Sequence, residues 1–168
     1  QGPVCEPCAG YGHISRVLKA AKKDVWANDI DPKMPKLSAV GDAADPGADI
    51  WRLYRPFNFN WTVTNPPYNL ALPILKTAWK KSRIGVALLL RLSFLEPTEN
   101  APAKLKKSIW AEAMRERGEW LEEHAENLSN LIIFGSPRPS YNGKGTDSVT
   151  TAWMVWRKDW KWRTKIDF

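Results

Sequence analysis

Histidine and cysteine are scarce in this chain, with two of each among 168 residues. Cys5 and Cys8 have C-x-x-C spacing, but a four-ligand zinc site would also need His13 and His124, which are far apart in the sequence. No metal site is expected. The first thiol falls on a predicted strand and the second in a glycine loop. That suits structural thiols of a reducing compartment better than a redox pair. No apolar run approaches the ~20 residues of a membrane span. The longest, Ile84 to Leu90, is strand-length, so no membrane partner is expected. A signal-peptide pattern is also missing. The chain opens at Gln1 without a Met and enters a strand at once, as a domain with residues upstream of it would.

What is present describes one globular domain spanning residues 1–168 and able to bury its own core. Apolar residues make up 43 % and charged residues 26 %, which excludes a disordered chain. Lys and Arg outnumber Asp and Glu by 25 to 18, for a net charge of +7. That excess favours a polyanionic partner, nucleic acid above all, through steering and counterion release. The sequence carries no signature of oligomeric state.

Strands and helices alternate along the chain. Val4–Glu6 ends a first strand, and Ile14–Lys23 has helical spacing with a basic last turn. Asp24–Asn28 and Leu37–Val40 read as the second and third strands, and Trp61–Thr64 as the fourth. A helix follows over Leu70–Ser82, with Leu72, Leu75, Ala78 and Trp79 on one face. Ile84–Phe94 is the near-continuous apolar run of a central strand covered on both sides. This rhythm implies an α/β fold with a doubly wound, mostly parallel Rossmann-like sheet. Leu131–Phe134 and Thr151–Trp156 would close it with an antiparallel hairpin. Residues 101–128 break the rhythm. They are long, helix-favouring and of mixed charge, with Gly118 a joint between two helices, and fit a helical insertion, a lid or a crossover.

Two motifs carry chemistry. Glu6-Pro7-Cys8-Ala9-Gly10-Tyr11-Gly12 follows the first strand, where glycines let a ligand approach the backbone and an acid can orient an ammonium. Asp29, at the end of the second strand, is placed to accept ribose hydroxyls, as in dinucleotide folds. Asp42, after the third strand, is placed to accept from an adenine amino group. Asp31 and Asp45 read as turn formers. A nicotinamide dehydrogenase fits the glycines alone but leaves the second motif, Asn65-Pro66-Pro67-Tyr68, unexplained. A nitrogen conjugated into a ring is a poor nucleophile until its lone pair is drawn out of the π system. The Asn65 oxygen and the Pro66 carbonyl can each accept one amino hydrogen, Pro67 stiffens the turn, and Tyr68 offers a face for stacking.

In order and spacing the two motifs resemble the class I S-adenosylmethionine-dependent amino-methyltransferases with an NPPY motif, most of all the small DNA adenine N6-methyltransferases of phages and prophages. The likeness covers Val4 to about Lys158. It implies that S-adenosyl-L-methionine is the cofactor, with Glu6, Gly10, Gly12 and Asp29 around its methionine and ribose and Ile30 and Asp42 around its adenine. It further implies that Asn65, Pro66 and Tyr68 carry methyl transfer to a flipped adenine of DNA. Pro67, Arg91, Arg138 and Lys144 are the substrate-contacting candidates, with the charged, tryptophan-bearing tail from Arg157 to Lys165 as a further nucleic-acid element. The same resemblance implies the cytoplasm of a bacterium or of a phage-infected host. Other substrates fit the tetrapeptide too, namely adenine or guanine in RNA and glutamine in protein. A catalytically silent nucleic-acid-binding module is the reading from outside enzymology.

Overall fold

The computed structural model describes residues 2–52, 59–96, 109–134 and 149–162. Seven strands form one sheet: β1 (Val4–Glu6), β2 (Val25–Asp29), β3 (Ala39–Val40), β4 (Phe59–Thr64), β5 (Ser82–Arg91), β6 (Leu128–Ile133) and β7 (Thr151–Arg157). Their order is β3-β2-β1-β4-β5-β7-β6. β3, β2, β1, β4 and β5 run parallel, and β7 is antiparallel to both of its neighbours. The fold is therefore the expected α/β Rossmann-like sheet. The reversed strand is inserted between β5 and the edge strand β6 rather than closing the sheet from outside.

Three α-helices, α1 (His13–Ala20), α2 (Ala71–Lys81) and α3 (Ile109–Glu123), pack on this sheet among the described residues. α1 ends three residues before the expected Lys23, because Lys22 turns into the left-handed region with φ of 57°. A short 3-10 turn, Tyr68–Leu70, feeds α2. Pro73 is tolerated because it lies in the first turn of α2, where no intrahelical donor is lost. Gly118 is not a joint: it lies inside the continuous α3.

β5 was expected to be covered on both faces, and the structure covers one fully. Val86, Leu88 and Leu90 are sealed against Ile74, Leu75 and Ala78 of α2, Trp120 of α3 and Met154 and Trp156 of β7. Ala87 and Leu89 alternate with them and are only half-buried. That second face also carries Trp61 and Val63 of β4, paired with Gly85 and Ala87, and Trp153 and Val155 of β7. The C-terminal half of α3 is fixed by Trp120, which stacks on His124 at 4.2 Å between ring centres and meets Trp156 edge-on at 5.5 Å. Residues 101–108 of the expected insertion lie outside the described residues. No described helix is long and apolar enough to cross a membrane.

Candidate functional site at the carboxyl ends of the parallel strands

The strand order reverses direction between β1 and β4, since the chain steps outward to β2 and β3 on one side and to β5 on the other. In sheets of this kind the crevice beyond the carboxyl ends at that point receives ligands. The loop Cys8–Gly12 leaves β1 there and Asn65 leaves β4, so the topology makes neighbours of the two sequence motifs.

The backbone of the glycine loop is pinned by its neighbours in the sheet. The Cys8 amide donates to Thr64 Oγ1 at 3.2 Å, and the same hydroxyl donates to the Cys8 carbonyl at 3.3 Å. The Ala9 amide donates to the Asn28 carbonyl at 2.8 Å, and the Gly12 amide to the Ala9 carbonyl at 2.8 Å. Gly10 and Gly12 have φ of 50° and 74°, a region that residues with a Cβ seldom enter. A Cβ built on Gly10 would meet nothing within 4 Å, so that flank of the loop is open to a ligand.

Asp29 ends β2 as expected, and its carboxylate is aimed by two amides. Gly10 donates to Oδ2 at 2.8 Å and Asp31 to Oδ1 at 3.0 Å. Ile30 beside it is 67 % exposed, which leaves an apolar side chain waiting at the rim. Asn28 braces the strand ends, its Nδ2 donating to Pro7 and Gly41 carbonyls at 2.9 Å each, while its Oδ1 is buried without a hydrogen-bond partner among the described residues. Asp42 is exposed beyond β3, and its Oδ1 accepts from the Ala44 amide at 2.9 Å. Asp31 and Asp45 accept from amides two residues on, as turn formers do.

Glu6 is buried at the end of β1, 1 % exposed, where Ser15 from the first turn of α1 donates its hydroxyl to Oε2. Burial pushes the Glu6 carboxyl up to about 7, with the Ser15 hydrogen bond pulling the other way. Cys5 and Cys8 are free thiols, and burial raises the pKa of Cys5 and that of Cys8 to about 12, so both stay protonated. No group of three or more His, Cys, Asp or Glu suited to a metal ion occurs among the described residues.

The tetrapeptide continues straight from β4. Asn65 is half-buried and Pro66 buried, while Pro67 and Tyr68 are exposed at the rim. Arg91, at the carboxyl end of β5, holds its guanidinium 4.8 Å from the Tyr68 ring centre. Arg117 of α3 stands 5.5 Å from the ring centre of Phe94, in the 3-10 turn after β5, with its Nε buried and without a hydrogen-bond partner among the described residues. Arg138 and Lys144 lie outside the described residues. The basic tail leaves β7 where Arg157 pairs in register with Gly85, toward the amino end of β5, and Arg91 is six residues further along. At ~3.3 Å per residue that puts the start of the tail about 20 Å from Arg91, toward the opposite end of the strands.

Sequence reading missed Thr64, Ser15, Asn28 and Arg117. Asn28 and Ser15 carried a signal, a polar residue at a strand end and a serine just inside a helix. Thr64 carried none, since threonine is ordinary in a strand.

No family model and no curated protein matches the sequence. Solved structures match by shape. TrmN from Thermus thermophilus superposes with a TM-score of 0.55 at 18 % identity, over 94 % of this chain and 44 % of its own. M. capricolum TrmK, solved with the cofactor product S-adenosyl-homocysteine, gives 0.57 at 9 % identity, over 98 % and 65 %. An rRNA methylase from Streptococcus thermophilus gives 0.52 at 10 %, over 94 % and 87 %. The chain thus spans less than two thirds of TrmN and of TrmK. It shares with all three one α/β Rossmann-like fold.

Proposed function

We propose that the chain transfers a methyl group from S-adenosyl-L-methionine to the N6 amino group of adenine in DNA, with the base turned out of the duplex into the Asn65–Tyr68 pocket. The observation that carries this reading is the place of the tetrapeptide, at the carboxyl end of β4 and hydrogen-bonded through Thr64 to the glycine loop. The residues around the crevice suit the cofactor. Gly10 has an open flank, Asp29 presents an oriented carboxylate for ribose hydroxyls, and the exposed Ile30 can cover an adenine face. When bound, the cofactor supplies an electrophilic methyl group on a sulfonium, so no residue here has to act as nucleophile.

The chain's part is positioning and polarisation. Asn65 Oδ1 and the Pro66 carbonyl each accept one hydrogen of the amino group, drawing its lone pair out of the ring. Tyr68 lends its ring to the base, and the amino proton is lost to water after transfer. Glu6 orients the cofactor ammonium from behind the loop, and Asp42 accepts from its adenine amino group. Arg91, Arg138 and Lys144 hold phosphates.

Adenine or guanine in RNA is the second reading, and the rRNA methylase among the structural neighbours favours it. Methyl-labelled cofactor, incubated with separate pools of DNA, RNA and protein, tests both. Label recovered as N6-methyladenine from DNA is the expected result. Label in RNA nucleosides or in glutamine replaces the substrate, and no label in any pool overturns the enzyme.

A further inference from the structure

We propose that Thr64 is a positioning residue whose hydroxyl clamps the cofactor loop to the catalytic tetrapeptide and so sets the distance across which the methyl group moves. This rests on the methyl-transfer reading above. The backbone ladder between β1 and β4 registers Val4 with Trp61 and Cys5 with Thr62, and ends there. Two residues on from Cys5, just past the end of β1, stands Pro7, which has no amide to donate, so the ladder cannot continue through it. Beyond the gap, Thr64 Oγ1 takes over with a side chain. It accepts from the Cys8 amide and donates to the Cys8 carbonyl, satisfying both polar groups of one peptide position across 56 residues of sequence.

Thr64 is fully buried and Cys8 partly so, and removing the hydroxyl leaves two backbone groups of Cys8 without this partner. A valine would fill the same volume and serve the strand equally well, yet would leave the Cys8 amide and carbonyl unpaired. The position of the clamp gives it a function. Cys8 opens the loop that carries Gly10 and Gly12, and Thr64 is bonded directly to Asn65. Any slack at this contact therefore appears between the two partners of the transfer, where small misplacements cost much rate.

The test compares Thr64→Val with Thr64→Ser in the whole chain. Amide hydrogen exchange reads the clamp without any ligand: Thr64→Val should speed exchange in Cys8–Gly12 while β1 and β5 stay protected. Calorimetry with S-adenosylhomocysteine should show affinity about tenfold weaker for Thr64→Val and within twofold of the parent for Thr64→Ser. Turnover at saturating cofactor should fall further for Thr64→Val, which separates it from a change in cofactor affinity alone. Unchanged loop exchange or unchanged affinity in Thr64→Val overturns the proposal, as does a serine variant no better than valine. If Thr64→Val does not fold, Thr64→Ala against Thr64→Ser asks the same question, and equal affinities overturn it. A parent that binds S-adenosylhomocysteine yet methylates no nucleic acid overturns the substrate reading and leaves the clamp comparison standing. A parent that binds no S-adenosylhomocysteine overturns both.

Discussion

Glu6 is the residue with most to say about pH. Its carboxyl titrates at about 7 in the fold against an ordinary 4.5, because burial disfavours the anion more than Ser15 favours it. Between those values the folded chain holds a proton that the unfolded chain has released. Stability should therefore fall as pH rises from about 4.5 through 7 and level off above, by at most ~3 kcal/mol. Glu6→Gln removes the titration, so its melting temperature should be flatter across that window, which thermal unfolding between pH 4.5 and 8 would read. A parent and variant with parallel profiles would show that another group governs the slope. Should Glu6 also meet the cofactor ammonium, binding would draw off its proton below pH 7, and calorimetry in buffers of different ionisation enthalpy would detect the release. Asp29 and Asn65 divide binding from chemistry at the same scale. Asp29→Ala should weaken cofactor affinity by about tenfold or more, since a charge-assisted acceptor is lost. Asn65→Ala should leave that affinity within about twofold and abolish turnover. Equal turnover by Asn65→Ala would remove its role, and unaltered affinity in Asp29→Ala would remove the ribose contact.

Among the elements, β5 is the one on which the sheet depends, and Gly85 is its tightest point. A Cβ there would stand 2.3 Å from the Trp156 carbonyl and 2.8 Å from the Trp61 ring. Gly85→Ala should then cost about 3 kcal/mol, or roughly 5–10 °C in melting temperature for a chain of this size, with cofactor affinity little changed because the clash lies at the amino end of the strand. A melting temperature within 2 °C or so of the parent would mean that β5 and β7 can part at small cost. The existence of β5 was plain in the sequence, since an apolar run from Ile84 onward has few other uses. Its asymmetry was not, because Val86-Ala87-Leu88-Leu89-Leu90 looks alike on both faces and only tertiary packing decides which face receives α2 and α3. The three acids and the tetrapeptide were likewise legible, each being a polar exception at the end of an apolar strand. Contacts such as Thr64 with Cys8 or Ser15 with Glu6 were not, since they depend on register between segments that local pattern does not encode.

At the scale of the whole molecule, composition pointed to nucleic acid but located its footprint poorly. The net charge is +7, and the densest basic run in the sequence begins at Arg157, opposite Gly85 toward the amino end of β5. There Arg157 is tied to Asp159 at 2.9 and 2.6 Å, and Lys158 rests over Trp79 at 5.3 Å. At the end of the strands that holds Asn65, Arg91 stands on the Tyr68 ring of the tetrapeptide, while Arg117 lies partly buried over Phe94 within reach of the Glu96 charge. A strand of nucleic acid delivering a base to Tyr68 would pass Arg91 and miss Arg157. Affinity for a labelled single-stranded oligonucleotide, followed by anisotropy from 50 to 200 mM salt, should fall steeply for the parent, by roughly tenfold or more. Arg91→Ala should weaken binding and lower the slope of log affinity against log salt by about 0.7, the share of one phosphate on a single strand. Arg157→Ala should change neither. The reverse result, with the slope lost at Arg157 and kept at Arg91, would put the polyanion along the amino ends of the strands.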